Sequence, residues 1–582
     1  MNLKKTRIVF FVAVCSSLFS CGLPDTAFSI ENNDDDTSAT LFVEVAASAG
    51  LSFTHHNGNH GTYNFPEING AGGALLDFDN DGDLDVYLVQ SGHLPGTGTA
   101  DNMLPRAANA LYRNMLVPSG ELIFEDVTAM TGTGNTGYGI GVATGDYDND
   151  GDVDMYVMNV GDNIFYRNDD GVFTDVTDHT GTSIGVWSAS GSFADYDQDG
   201  DLDLFVANYV DWQADAETPC QNNAGQRDYC APVNYPALSD HLFRNNGDGT
   251  FTDVSKLAGI SALSGPGLGV TAADFNADNQ IDFYVANDQQ ANFLWLNRGD
   301  GVFVENGLRS GSAYNSRGVA EASMGVTAGD FDGDGDEDLF MTHLSSESNT
   351  LYINDGTGNF VDGTETANLG ASSMRFTGFG SAWIDYDNDS LLDLFVANGS
   401  HMIVAERRNV SDFPYGQSNQ LFRNIGGGRF TDMSNNAGPA MSAIEISRGA
   451  AFGDIDNDGD VDILVTNNNG PVRLLLNESG HTKHWLRLRL GGTRSPRDAQ
   501  GARVAVFGRN NSTLWKRVHT DGSYASASDA RVLFGLGADA PSDMGVQVQW
   551  PSGHTETFGQ LQIDREHYLQ EGTGSPGPLQ NR

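Results

Sequence analysis

Apolar residues along this chain fall in short runs rich in valine, phenylalanine, tyrosine and leucine, each bounded by glycine, asparagine or aspartate clusters. Runs of that length and composition read as strands. Their order repeats. A glycine- and alanine-rich segment such as GIGVATG or RGAAFG leads, followed by a polar nonamer and an apolar segment such as VDMYVMNV. Then comes a segment ending in asparagine (NIFYRN, HLFRN, FLWLN, TLYIN, QLFRN), a glycine turn and a last strand such as GVFTDVT or GTFTDVS. Small residues in the leading strand suit packing around a crowded axis, and four strands make one propeller blade.

The nonamer occurs seven times, starting at Asp77, Asp146, Asp195, Asp274, Asp330, Asp385 and Asp454. A unit repeated at this spacing marks a solenoid or propeller. The first six units have a fourth strand, at Phe124, Phe173, Phe251, Phe303, Phe360 and Phe430, and the seventh has none. The segment LFVEVAASAGL, Leu41 to Leu51, carries the missing pattern ahead of the first unit. A ring whose last blade borrows its outer strand from the chain start leaves no bare edge. The expected fold is therefore all-β, with a seven-bladed β-propeller over residues 41–478. A small β-sandwich-like domain over 479–571 follows, with strands HWLRLRL, RVAVF and VQVQW, and 572–582 forms a flexible tail.

The nonamers carry the chemistry. In DYDNDGDVD, five aspartates in nine residues would repel one another unless a cation sat among them. Calcium takes six to eight oxygens, and a loop offering them at positions 1, 3, 5, 7 and 9 with glycine at 6 wraps around it. Those positions are Asp77, Asp79, Asp81, Asp83 and Asp85 in the first loop, Asp146, Asp148, Asp150, Asp152 and Asp154 in the second, and Asp195, Asp197, Asp199, Asp201 and Asp203 in the third. The fourth offers Asp274, Asn276, Asp278, Gln280 and Asp282, and the fifth Asp330, Asp332, Asp334, Asp336 and Asp338. The sixth has Asp385, Asp387, Asp389, Leu391 and Asp393, and the seventh Asp454, Asp456, Asp458, Asp460 and Asp462. Position 7 serves through its carbonyl, so Gln280 and Leu391 are admissible there. The turn residue is Asn279 in the fourth loop and Ser390 in the sixth. Serine tolerates the left-handed turn less well, so the sixth loop is expected to bind most weakly. An EF-hand is excluded, because position 12 of the second loop is Val157 inside a strand.

These DxDxDGxxD loops within four-strand repeats resemble the FG-GAP and VCBS repeats of integrin α-like propellers. The stretch FTHHNGNHGTYNFPEINGAGGALLDFDNDGDLD and the C-terminal HWLRLRLGGTRSPRDAQGARVAVFG, GSYASASDARVLFGLG and VQVQWPSG more closely resemble the cartilage acidic protein family with its ASPIC/UnbV terminal domain. The resemblance implies a secreted or envelope calcium-binding propeller carrying up to seven Ca²⁺, in a family whose molecular activity is mostly undefined.

Net charge is −47, and 33 of the acidic residues lie in the seven nonamers. Even after seven calcium ions, the balance repels nucleic acid. Residues 481–571 carry 11 basic and 9 acidic residues, so this segment is expected to pack as a cover on the acidic ring. Residues 1–29 read as an export signal, with Lys4, Lys5 and Arg7 ahead of IVFFVAVCSSLFS, a run too short to span a membrane. Two cleavages compete: after LFS, making Cys21 a lipidated first residue, or after AFS, releasing a soluble chain from Ile30 behind an acidic linker over 30–40. The protein is thus expected to be secreted, periplasmic or on the outer envelope. Cys220 and Cys230 then face an oxidising compartment and are expected to form a disulfide across a long loop.

Within a blade, the aspartate loops and the turns between the third and fourth strands share one ring face. The other face receives the long insertions 91–109, 209–240 and 399–418, together with His55, His56, Glu67, Asp288, Arg317, Glu321, His343, Arg375, His401 and Arg448. Polar side chains on loops held by a rigid scaffold are where binding or catalysis is built. The reading favoured is a non-catalytic module binding a glycan or protein there. The alternative is an enzyme using those histidines as base and those arginines to hold an anion. GTSIG at 181–185 lacks the strand, turn and helix of a nucleophile elbow, and RGD at 298–300 aligns with the blade's glycine turns.

Overall fold

The β-branched and aromatic runs form strands throughout the described residues, which in this computed structural model are 40–97, 107–217, 219–222, 225–403, 414–507 and 513–577. The export signal, Cys21, nearly all of the acidic linker, parts of the insertions at 91–109, 209–240 and 399–418, and residues 578–582 of the tail lie outside them. Seven inner strands, Gly73–Leu76, Gly139–Gly145, Gly185–Ala194, Gly267–Ala273, Val326–Gly329, Gly378–Ile384 and Ser447–Gly453, each open a four-stranded antiparallel unit. Each inner strand packs on the next in chain order, and the last packs on the first. The outer strand of the seventh unit is Phe42–Glu44, which pairs antiparallel with Arg473–Asn477 through Phe42↔Asn477 and Glu44↔Leu475. The ring is closed by the first strand of the described residues.

A second device closes it, and it repeats seven times. The asparagine ending each third strand is buried, and its amide donates to a carbonyl in the preceding blade's aspartate loop. Asn168 bonds Phe78 O (2.8 Å), Asn245 bonds Tyr147 O (2.8 Å) and Asn297 bonds Tyr196 O (2.8 Å). Asn354, Asn424 and Asn477 bond the carbonyls of Phe275, Phe331 and Tyr386, and Asn114 of the first blade bonds Ile455 O of the seventh at 3.0 Å. A planar amide with two donors suits this place, because its second N–H takes the carbonyl just before its own blade's second strand, Val153 O for Asn168 (3.2 Å).

The C-terminal part is a sandwich of a three-stranded sheet (Val532–Gly537, His484–Gly491, Glu566–Gln570) on a five-stranded one built on Arg503–Phe507 and Asp543–Gln549. Leu486, Leu488, Val504, Val506, Phe534, Val546 and Val548 fill the space between them. It lies over the aspartate loops. Arg497 N–H donates to Asn149 Oδ1 (2.7 Å), Arg503 Nη2 to Gly335 O (2.7 Å), and Arg487 Nη1 to Asp454 Oδ2 (2.5 Å).

From this cover, residues 521–527 thread the ring's axis and touch all seven inner strands. Asp521 takes Ser192 Oγ–H and Ala272 N–H, and Ser523 Oγ bonds Ala450 O. Val326 bridges Ser523, while Ser381 N–H donates to Ser523 Oγ. Ala525 O accepts from Val142 N–H, and Ala74 bridges Ala527. Side chains would block this path. A Cβ on Gly72 would sit 1.8 Å from Ala525 O, and one on Gly449 would sit 2.5 Å from Ser526 Oγ.

Candidate functional site

Each aspartate loop joins an inner strand to the second strand, and position 9 is the second strand's first residue in all seven units: Asp85, Asp154, Asp203, Asp282, Asp338, Asp393 and Asp462. Its carboxylate anchors the blade. Asp154 Oδ1 accepts from Asn168 N–H (2.7 Å) and Oδ2 from Tyr147 N–H (3.0 Å). The Oδ1 bond to the asparagine backbone recurs in every unit. Position 1 organises the turn. Asp146 takes the N–H groups of Asp150 (3.1 Å) and Gly151 (2.9 Å), as Asp195 and Asp385 take those of their own loops. Position 6 is left-handed, with φ near +100° at Gly151 and Gly459, +64° at Asn279 and +75° at Ser390. The serine is held there from outside its blade, since its hydroxyl donates to Gly535 O of the cover at 2.9 Å.

Carboxylate oxygens converge within 4.8 Å in the Asp77–Asp79–Asp85, Asp146–Asp148–Asp154, Asp195–Asp197–Asp199 and Asp330–Asp332–Asp338 sets. Several are buried without a hydrogen-bond donor: one oxygen each of Asp77, Asp79, Asp83, Asp336, Asp338, Asp393, Asp454 and Asp460. Burial first, then neighbouring carboxylates, push Asp146 up to about 8 and Asp195 up to about 7. Partnerless acceptors crowded with like charge are a donor set for a hard cation, the kind calcium prefers. Protein cations reach some loops. Arg113 bridges Asp79 and Asp81 (2.7 and 2.9 Å), and Arg423 bridges Asp387 and Asp389 (2.7 and 3.0 Å). In the second blade the corresponding Arg167 pairs with Asp169, outside the loop (2.8 Å).

The opposite face separates the other sequence candidates. His55 is buried with both ring nitrogens engaged, by Ser91 Oγ (2.9 Å) and Asn469 N–H (3.1 Å), and burial lowers its pKa to about 3. Glu67 is fully buried under Asn64, Thr62 and Tyr229. Glu321 and His343 face each other at 3.5 Å, with His343 only 1% exposed. His56, Arg317 and Arg375 are exposed. Arg448 is fully buried, gives its guanidinium to the carbonyls of Ile68, Gly399 and Ser447, and lies 4.0 Å from the Phe379 ring centroid. Asp288 and His401 both line one cavity at the axial mouth. A hairpin of the 209–240 insertion walls that cavity, tied by the Cys220–Cys230 disulfide. GTSIG follows a short helix and leads into a strand, and RGD is the turn between Phe293–Asn297 and Phe303–Glu305.

The strand-end asparagines and the axial segment escaped sequence reasoning. The asparagines were visible as a repeated ending, but their partners lie one blade back.

Residues 77–157, 146–206, 222–285, 274–341, 330–396 and 403–465 match the FG-GAP-like repeat, and 492–576 match ASPIC and UnbV. Cartilage acidic protein 1 of Homo sapiens is 28% identical over 311 residues, 52% of this chain and 43% of that protein. The Mus musculus protein of the same name is 26% identical over 314 residues, 52% of this chain and 44% of its own length. The matched region thus spans less than half the length of these curated relatives. A solved lectin of Agrocybe aegerita, described by its specific recognition of non-reducing terminal N-acetylglucosamine, is 14% identical. That match covers 74% of this chain and 87% of the lectin at a TM-score of 0.34.

Proposed function

The chain belongs to the FG-GAP-like repeat family and carries a C-terminal ASPIC and UnbV domain, and on that premise we propose an exported, calcium-held propeller acting as a non-catalytic binding module. It presents the face opposite its aspartate loops to a glycan or protein. The observation that carries this reading is the position of the C-terminal sandwich, which covers the aspartate loops and fills the axis. The insertion-bearing face is left for a ligand.

Calcium in each loop would be held by the side-chain oxygens at positions 1, 3 and 5, carboxylates except for the amide of Asn276 in the fourth loop, with the carbonyl at 7 and the carboxylate at 9. The position-9 oxygens each keep a lone pair beyond their backbone bond. The ion supplies the positive charge that lets these aspartates ionise together inside a folded ring. The protein's own residues do the rest: position 1 shapes the turn, position 9 ties it to the sheet, and the strand-end asparagine passes the loop's position to the next blade. Against catalysis, His55 has no free nitrogen and His343 is shut from solvent. The Cys220–Cys230 disulfide suits an oxidising compartment. Among the described residues no helix is long and apolar enough to cross a membrane.

The test is a glycan and protein array run beside a panel of hydrolase and lyase substrates, on the calcium-loaded chain. Binding without turnover, weakened by substitutions on the insertion-bearing face, is expected. Turnover lost on replacing His343 or His401 contradicts the reading.

A further inference from the structure

Where the axis opens on the insertion-bearing face there is a cavity of about 180 Å³ whose apolar wall includes Phe65, Tyr209, Leu268, Met324 and Phe379. These residues come from segments entering or leaving five different blades. Its floor is held from beneath by the C-terminal domain. Tyr524, fully buried at the tip of the axial segment, stacks edge-on at 5.0 Å to Phe379 and donates its hydroxyl to Asn69 O at 3.2 Å.

Two carboxylates line this apolar space, Asp288 and Asp228, which are 8% and 3% exposed. Tyr209 Oη–H donates to Asp288 Oδ2 at 2.5 Å, whereas Asp288 Oδ1 and Asp228 Oδ2 are buried with no donor. His401, in the same lining, has its Nδ1 likewise unmatched. Burial and the neighbouring Glu347 carboxylate push Asp288 up to about 7. Arg448, beside His401, spends its guanidinium on backbone carbonyls, and Arg227 lies close enough to act on Asp228, whereas the charge acting on Asp288 is the like charge of Glu347. A buried acceptor without a donor is costly, and an aromatic wall beside it favours a cation on a hydrocarbon stem.

Building on the reading of this face as the binding face, we propose that the cavity takes a protonated amine on an apolar stem. The ammonium donates to Asp288 Oδ1, with Asp228 adding negative potential, and the stem packs on Phe65, Met324 and Phe379. The cavity, about 180 Å³ in volume, has room for a short alkylammonium or for the end of a lysine side chain.

The experiment is calorimetric titration of the calcium-loaded full chain with n-pentylammonium chloride at fixed ionic strength, beside 1-pentanol. Saturable binding of the ammonium, at least tenfold tighter than the alcohol, is expected. Asp288→Asn should weaken it at least tenfold while leaving the melting temperature and bound calcium unchanged. Should that variant fold poorly, the ammonium-to-alcohol comparison on the unaltered chain still decides. Nα-acetyl-lysine N-methylamide binding more tightly than pentylammonium assigns the amine to a protein side chain, and the reverse assigns it to a free amine. Equal binding of ammonium and alcohol, an Asp288→Asn variant that binds undiminished, or binding of neutral glycans alone at this cavity overturns the proposal. Calcium counted in the same samples keeps a failure here separate from a failure of the scaffold reading.

Discussion

Asn168 shows what one residue does in this ring. Its buried side chain bonds Phe78 O out of water, and also bonds Val153 O and accepts from Gly171 N–H where the chain is partly exposed. Replacing it with alanine leaves two carbonyls from two blades without their donor. Asn168→Ala should therefore destabilise by roughly 1–3 kcal/mol, chiefly the cost of the buried Phe78 carbonyl left without its donor. Exposed Asn246→Ala should change stability by less than about 0.5 kcal/mol. Urea unfolding midpoints of the two variants check the contrast. An Asn168 variant as stable as the parent would mean that the inter-blade bonds are incidental.

At the level of elements, closure rests on Phe42–Glu44, a three-residue strand whose Phe42 is fully buried among Ile463, Leu475, Ala437 and Met441. Phe42→Ala opens a cavity in the seam and should cost about 3–5 kcal/mol. Limited proteolysis should then cut first near the chain start. The axial segment carries its own signature. Burial alone would raise the Asp521 carboxyl, but Arg517, His519 and the Ser192 hydroxyl outweigh it and bring it down to about 2. A carboxyl depressed on folding contributes stability that is fully present above its unfolded pKa near 4 and lost as pH falls through 2. The stability difference between the parent and Asp521→Asn should hold at about 2 kcal/mol above pH 4 and shrink below it. A difference that grows on acidification would contradict the pairing.

The strands, the repeated loops and the borrowed closing strand were legible in the sequence, because each is written in local pattern: runs, glycine turns and a nonamer in register. The axial segment was not. HTDGSYASAS offers no periodicity, and its meaning lies in seven strands reached by contacts that span from 73 to 453 residues of chain. The face candidates show the same limit, since His55, His343 and Arg448 look alike in sequence and differ only in burial and partners. Asp228, which shares the cavity with Asp288 and His401, gave no signal beyond lying in an insertion.

Over the whole molecule, the ring, its cover and its charge depend on one another. The loops gather carboxylates that cannot all ionise without a cation, and the cover brings Arg487, Arg497 and Arg503 down onto them. Calcium would hold the loops and so hold the surface on which the cover rests. Extracellular sites of this composition bind at roughly 10⁻⁴ to 10⁻³ M, so chelation should reach them. The most direct measurement is bound calcium per chain by equilibrium dialysis, paired with the melting temperature in calcium and in excess EGTA. Several ions per chain, up to seven, and a melting temperature that drops on chelation are the predicted result. Less than one ion per chain with an unchanged melting temperature would contradict it.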